Sequence, residues 1–382
     1  MYRTLSIFGV ALFAFIAIAL MGDCLQAQQI QIKMEDGIPV VYNPKEPVAL
    51  PNTPSHLTLI EDIRLGEPDE NNNYPFSMLS WICVDDRENI ITMDNEEACI
   101  RIFDKAGKLI RKFGRKGQGP GEFQYVAYLS VIEGEKIGVI DPSNHRFYHF
   151  SQDGECLKQI DLGKYWRVGR AKADSRGFLY ANFMTMTKAE EEVRSSVELI
   201  KFDPDFQPIA TLGTYEESRK RNEVNMVEKR FGFDLRGDNV LVWGISTEYV
   251  LNFMDSNGKL IRRVVKDYER IRLTDEDRER QYKLYYGDRK LPPEIKLNYP
   301  SHFFPFFYVM CDDEGRTYVR TYQKDDKGDF IFDVFDSQGR YFAKFARPES
   351  EMPIVVKKGK FYSIKFDRED LPLLTRYRMV WE

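Results

Sequence analysis

From His56 onward the chain is a succession of short apolar runs parted by polar turns. In the clearest stretch, Ser80 to Val84, Ile90 to Met93, Cys99 to Phe103 and Leu109 to Phe113 are apolar, with Asp85 to Asn89, Asp94 to Glu96 and Asp104 to Lys108 between them. Runs this short, rich in β-branched and aromatic residues and bounded by Asp, Asn and Gly, predict antiparallel strands joined by tight turns. One phrase recurs five times: an apolar run ending in Phe, an Asp/Gly turn, then another apolar run. It appears at Phe103 to Leu109, Phe150 to Leu157, Phe202 to Ile209, Phe253 to Leu260 and Phe335 to Phe342. The first four Phe residues lie 47, 52 and 51 positions apart, a period proper to stacked or radial β-repeats.

Four strands per period make one blade of a propeller. Five units carry all four, and the last carries only three, Pro353 to Val356, Lys360 to Lys365 and Leu373 to Val380. Leu57 to Leu65 is an orphan strand at the other end, with Leu57, Leu59, Ile63 and Leu65 on one face. The expected fold class is therefore all-β: a six-bladed β-propeller of four-stranded antiparallel blades, closed by this N-terminal strand pairing into the last blade. Closure removes two open sheet edges.

The regions outside the repeat set the domain organisation. Residues 1–27, with Arg3, an apolar core from Leu5 to Met21 and a small residue at Ala27, read as a signal peptide. A retained anchor is the rival reading; a lipoprotein at Cys24 is disfavoured by Asp23, where a small residue is needed. Residues 28–54 carry Pro39, Pro44, Pro47, Pro51 and Pro54 and read as an extended linker before the propeller of residues 55–382. Two insertions exceed the repeat and are expected to be helical, near 215–229 and 274–287; in the second, Thr274 is a plausible N-cap over Asp275, Glu276 and Asp277.

Charge and cysteine content narrow the partners. With 55 basic and 60 acidic side chains the net charge is −5, evenly mixed, which argues against a nucleic-acid binder. No other segment is long and apolar enough to span a membrane. Cys83, Cys99, Cys156 and Cys311 lie scattered on apolar strands and read as buried thiols, a Cys83–Cys99 bridge being the alternative.

Gly114-Arg115-Lys116-Gly117-Gln118-Gly119-Pro120-Gly121-Glu122-Phe123 and Ile140-Asp141-Pro142-Ser143-Asn144-His145-Arg146-Phe147 carry a family resemblance. They resemble the two signature phrases of NHL-repeat propellers, and the chain resembles the secreted bacterial six-bladed β-propellers with NHL-like repeats. Val126 departs from that pattern, where Pro would stand. The resemblance implies an exported protein, periplasmic or extracellular, and leaves activity open, because such propellers serve both as binding modules and as lyases or lactonases.

Candidate chemistry is sparse. The Gly114 to Gly121 loop runs into a strand and not a helix, so its glycines read as a crossing between blades more than a phosphate cradle. Arg115 and Lys116 on it, with Trp166, Tyr249, Arg278 and Arg280, are the candidate ligand-binding rim. Asp94, Asn95, Asp141 and Asn144, with Asp104, read as turn caps; resemblance to gluconolactonase-type enzymes implies the alternative of a divalent ion such as calcium. His145 and His149 on one strand would stand about 13 Å apart, too far for one zinc. In the Tyr299 to Tyr308 stretch, Phe304, Phe306 and Tyr308 alternate into a core strand, with sugar or peptide stacking as the other reading. The expected function is a secreted, cofactor-free, non-catalytic scaffold binding a protein or carbohydrate on its channel face; the alternative is a metal-dependent hydrolase or lyase.

Overall fold

Each copy of the recurring phrase is the hairpin between the third and fourth strands of a small sheet. The Phe is buried, and in four of the five copies an Asp carboxylate accepts the N–H groups two and four residues on; in the Phe150 copy the Ser151 hydroxyl accepts the Glu155 N–H instead. Asp104 takes Ala106 and Lys108, Asp255 takes Asn257 and Lys259, and Asp336 takes Gln338 and Arg340, all at 2.8–2.9 Å. The same device closes several turns between first and second strands, at Asp85, Asp174 and Asp312. Asp is needed because its side chain replaces a backbone acceptor inside the turn.

A computed structural model describes residues 29–68, 70, 74–367 and 369–382. The expected signal peptide and Cys24 fall outside the described residues. Six sheets of four or more strands form the blades, and their inner strands are Leu79–Val84, Tyr128–Ile132, Val168–Ala173, Phe231–Leu235, Phe306–Cys311 and Met352–Lys357 for blades one to six. Each inner strand neighbours the next, and that of blade six returns to blade one, which makes a ring. The core is divided among the six blade interfaces. Cys83, Ile91 and Ile100 of blade one meet Leu129, Val139 and Tyr148 of blade two, and equivalent clusters join every other neighbouring pair, including six to one.

The orphan strand closes the ring. We number β1 (Gln31–Glu35), β2 (Ile38–Asn43) and β3 (Leu57–Leu65). β3 is the outermost strand of blade six, antiparallel to Pro372–Trp381, from Leu57 opposite Trp381 to Leu65 opposite Leu374. Arg376 fastens the seam, donating to the Asp62 carboxylate at 2.9 and 3.1 Å and to Lys105 O at 2.7 Å.

Two segments differ from expectation. The stretch read as linker contains the β1–β2 hairpin, turned at Asp36 and Gly37, both with positive φ, as a two-residue hairpin requires. β2 adds in parallel to the outer strand of blade four, Leu260–Lys266, and buries Val40 and Val41. Pro39 is tolerated because it precedes the first residue of that ladder. Residues 215–229, expected to be helical, instead extend a strand: Pro208–Lys220 pairs with Glu192–Phe202, so blade three carries a three-stranded arm beyond the wheel. The charged run Tyr215 to Lys220 alternates in register with its partner and follows the period of two. In the other insertion, Asp275–Tyr286 is helix α1, capped by reciprocal Thr274 and Asp277 bonds and ending at Gly287. α1 buries none of its residues and is tied to the loop before blade six by Arg280 to Glu349 at 2.9 Å.

His149, on the third strand of blade two, rests edge-on against Phe147 with Nε2 buried and unpartnered. Burial, then nearby Lys158 and Lys136, pull its imidazole down to about 4. The unfolded chain takes up a proton near pH 6.5 that the folded chain refuses, so this stability is complete above about 6.5 and is lost as pH falls toward about 4. His149→Phe should flatten that limb of the stability–pH curve measured by urea unfolding; an identical limb in the variant would refute the assignment.

Candidate functional site

At the end of the wheel where the inner strands begin, four of the six carry β-bulges. The register slips at Ser80, at Gly169–Arg170, at Phe307 and at Ile354. Bulges re-aim side chains and gather beside functional sites. Here the slip at Phe307 breaks the expected alternation. Phe306 enters the core between blades four and five, as expected, and Tyr308 packs against the core between blades five and six, 6.1 Å from the Phe332 ring; Phe304, half-buried, packs beside Phe303, and the bulged Phe307 is half-buried.

Around Phe307 lies a set of cations. Arg230, just ahead of the inner strand of blade four, places its guanidinium carbon 4.2 Å from the Phe307 ring centre; Arg320, on the second strand of blade five, lies 4.6 Å from the same ring and 3.9 Å from that of Phe330. Neither has a carboxylate partner among the described residues. The Arg230 backbone is clamped by Ser246, whose hydroxyl accepts the Arg230 N–H at 2.9 Å and whose own N–H donates to the Arg230 carbonyl. Burial, with Arg230 adding like charge, pulls the Arg320 guanidinium below its usual range. Deeper in the channel, Arg170 and Lys172 share one carboxylate, Asp234, at 3.5 and 3.1 Å. Asp234 also accepts the Cys311 N–H at 3.1 Å, which holds it at the junction of blades four and five.

Burial pushes the Tyr308 phenol well up, against the pull of Arg320 and Arg170. Its hydroxyl, the Nε atoms of Arg170 and Arg230, and Asn182 Oδ1 are all buried without a protein partner. Three guanidinium groups and a phenol are thus gathered around Phe307 and Tyr308. Arginine is suited to this, because its planar fork stacks on a ring while its N–H groups remain free to bind an anion.

The residues singled out from the sequence are dispersed. Arg115 is on an exposed loop, paired with Glu122 at 2.7 Å, and Lys116 is exposed beside it. Trp166 stacks on His145 at 5.3 Å with Arg167 against it. Arg278 pairs with Asp275, and Arg280 with Asp277 and Glu349. Tyr249 requires correction: it is not on the rim but buried between blades four and five, donating to Asp333 at 2.5 Å. Asp94 accepts the N–H groups of Ser77, Met78, Glu96 and Glu97, and Asp141 those of Gln124, Tyr125 and Asn144. Asn95 and Asn144 bond the backbone at Val126, Gly117 and Glu122. All four pin the crossing loops to their blades, and among the described residues no cluster of three or more His, Cys, Asp or Glu is arranged to hold a metal. Gly114 in the crossing has φ 92°, and a Cβ there would come within 2.6 Å of Phe123. The four cysteines are free, so Cys83 and Cys99 are not bridged; burial pushes their thiols up to about 12 and about 11.

Residues 52–338 match the model of the DUF5128 family, described as a 6-bladed beta-propeller. The chain belongs to that family. None of the curated proteins matches it. Among solved structures, this DUF5128 propeller is similar to a protein of Bacteroides fragilis described as exported, at 12% identity and a TM-score of 0.53, over 89% of this chain and 99% of that one. It is also similar to a DUF4221 member from Bacteroides vulgatus at 12% identity and a TM-score of 0.49, over 86% and 99% of the chains. A gluconolactonase from Xanthomonas campestris aligns at 10% identity and a TM-score of 0.41, over 87% and 99%. At these identities the likeness is one of fold.

Proposed function

We propose that this propeller is an exported, non-catalytic binding module that captures an anionic group at its channel mouth. One observation carries the reading: Arg230 and Arg320 are stacked on one phenylalanine without a carboxylate partner among the described residues. Their neighbours add donors, since Arg170 Nε, Arg230 Nε and the Tyr308 hydroxyl are buried and unpaired in the protein. An anion bound there would offer these donors an acceptor. Guanidinium groups and a phenol raised by burial keep their protons at neutral pH, so they bind and orient; they do not act as bases. Export is supported by the signal-like sequence of residues 1–27.

The ligand class is a carboxylate, sulfate or phosphate carried on a saccharide or a polypeptide. Calorimetric titration of the purified chain with citrate, inorganic sulfate and acetylated acidic peptides tests it. Arg230→Glu should weaken the best of these anions by about tenfold or more, the scale of one lost charge-assisted hydrogen bond. Thermal unfolding of the variant should stay near that of the parent, because Arg230 has no ion pair to lose among the described residues. Affinities equal in parent and variant would overturn the proposal.

A further inference from the structure

Leu179–Lys188, the second strand of blade three, outruns the inner strand beside it. The last pair between them is Val168 with Phe183, and no strand among the described residues pairs with Met184 to Lys188 on the axial side. The turn at its tip sets which groups are free. Ala189 N–H donates to Glu192 O, and from this closing bond the antiparallel alternation places Thr187 opposite Arg194 and Thr185 opposite Ser196 as bonded pairs. Met184, Met186 and Lys188 therefore turn their N–H and C=O groups toward the channel mouth. All five residues are exposed, and Met184 and Met186 keep 42% and 36% of their surface. Folded proteins normally blunt such an edge with prolines, bulges or inward charges. This one has only Lys188, at its far end.

Directly below the free edge lies the bulge of Gly169 and Arg170, opposite Asn182. Asn182 Oδ1 and Arg170 Nε are both buried and unpartnered. An unpaired strand edge thus ends beside the cluster of cations described above. We propose that this edge receives an extended polypeptide as an added strand, antiparallel to Leu179–Lys188, with a C-terminal carboxylate seated among Arg170, Arg230 and Arg320. The inference rests on the reading of the mouth as an anion site and names its ligand. The guest runs collinear with the inner strand Val168–Ala173, so its C-terminus arrives at Val168, next to the bulge. Backbone bonds to Met184, Met186 and Lys188 supply register. Guest side chains opposite Met184 and Met186 share their face, so alternate apolar positions near the C-terminus are selected.

The test is a selection from displayed random octapeptides with free C-termini, followed by fluorescence anisotropy with the best synthetic peptides. Met186→Pro removes one edge N–H that the parent fold does not use, and a proline is tolerated at such a position. It should leave melting unchanged and weaken the peptides at least about tenfold. Amidating the peptide C-terminus should weaken binding similarly, as should N-methylation of alternate peptide residues, which needs no change in the protein. Peptides indifferent to Met186→Pro and to N-methylation but lost on Arg230→Glu would overturn strand addition and leave the anion site standing. A selection that returns no binder, while citrate or sulfate still binds, would likewise sink this inference alone.

Discussion

A chain started at Glu67, lacking both the hairpin and β3, is expected to melt far below one started at Ser55, which lacks only the hairpin. β3 supplies the fourth strand of blade six along the whole register from Leu57 to Leu65. It buries Leu57, and Leu65 packs into the cluster joining blades six and one with Phe76, Leu79 and Leu374. Its removal also strands Arg376, which is 6% exposed and would lose the Asp62 carboxylate. Burial of each large apolar side chain is worth about 1.5–3 kcal/mol, and the two leucines with the lost ion pair make a deficit of at least about 5 kcal/mol. The two opened edges would in addition promote self-association. Circular dichroism melting and size-exclusion chromatography of the two chains decide the matter. Equal melting temperatures would show that the ring holds without its seam.

Asp333→Ala should cost about 3–5 kcal/mol, the usual penalty for leaving a buried charge without its partner. Asp333 sits on the third strand of blade five with no exposed surface, accepts the hydroxyls of Tyr249 and Tyr341 at 2.5 and 2.6 Å, and lies 3.4 Å from Lys266. Lys266 comes from the outer strand of blade four and is 3% exposed, its ammonium against the rings of Tyr249 and Tyr341. Burial and the Asp333 charge raise both phenols, so the Asp carboxylate is the acceptor in each bond. Without it an ammonium and two hydroxyls are left dry. The double variant Asp333→Leu with Lys266→Met should recover most of the loss, because apolar groups of similar volume can replace a buried pair at little cost. Urea unfolding measures both. A single variant as stable as the parent would show that the network contributes nothing across this interface.

The architecture was legible because it is written in turns. Five phrases of Phe followed by a tight turn mark the outer hairpins, and the count of three strands at one end and one at the other announces the closure that Leu57 and Trp381 complete. The β1–β2 hairpin was hidden because its signal, Asp36–Gly37, lies in a stretch dominated by prolines. The arm of blade three was misread for a related reason. The end of its last strand, Glu216 to Lys220, is charged, and polar residues on both faces leave strand and helix equally plausible until a partner is known.

The candidate site was less legible. Arg230 and Arg320 are distant in sequence and meet at Phe307, a half-buried position set by a bulge, and a bulge leaves no mark in an alternating pattern. Arg230 stands just ahead of an inner strand, but Arg320 lies in the middle of Thr317–Lys324 and carries no such mark. Tyr249 was misplaced because it follows a loop directly. Only the neighbouring blade, through Asp333, shows that it points inward.

The seam of blade six also dictates the order of assembly. Leu57 finds its partner only when Trp381 exists, so blades one to five can form as the chain elongates, while the sixth waits for the final residues. Pairing across almost the full chain length is slow to nucleate. During that interval β3 stays unmatched, and any holding factor or early hydrolysis would act on it first. Lifetime in the cell is then governed by how quickly the last strand arrives as much as by the depth of the finished minimum.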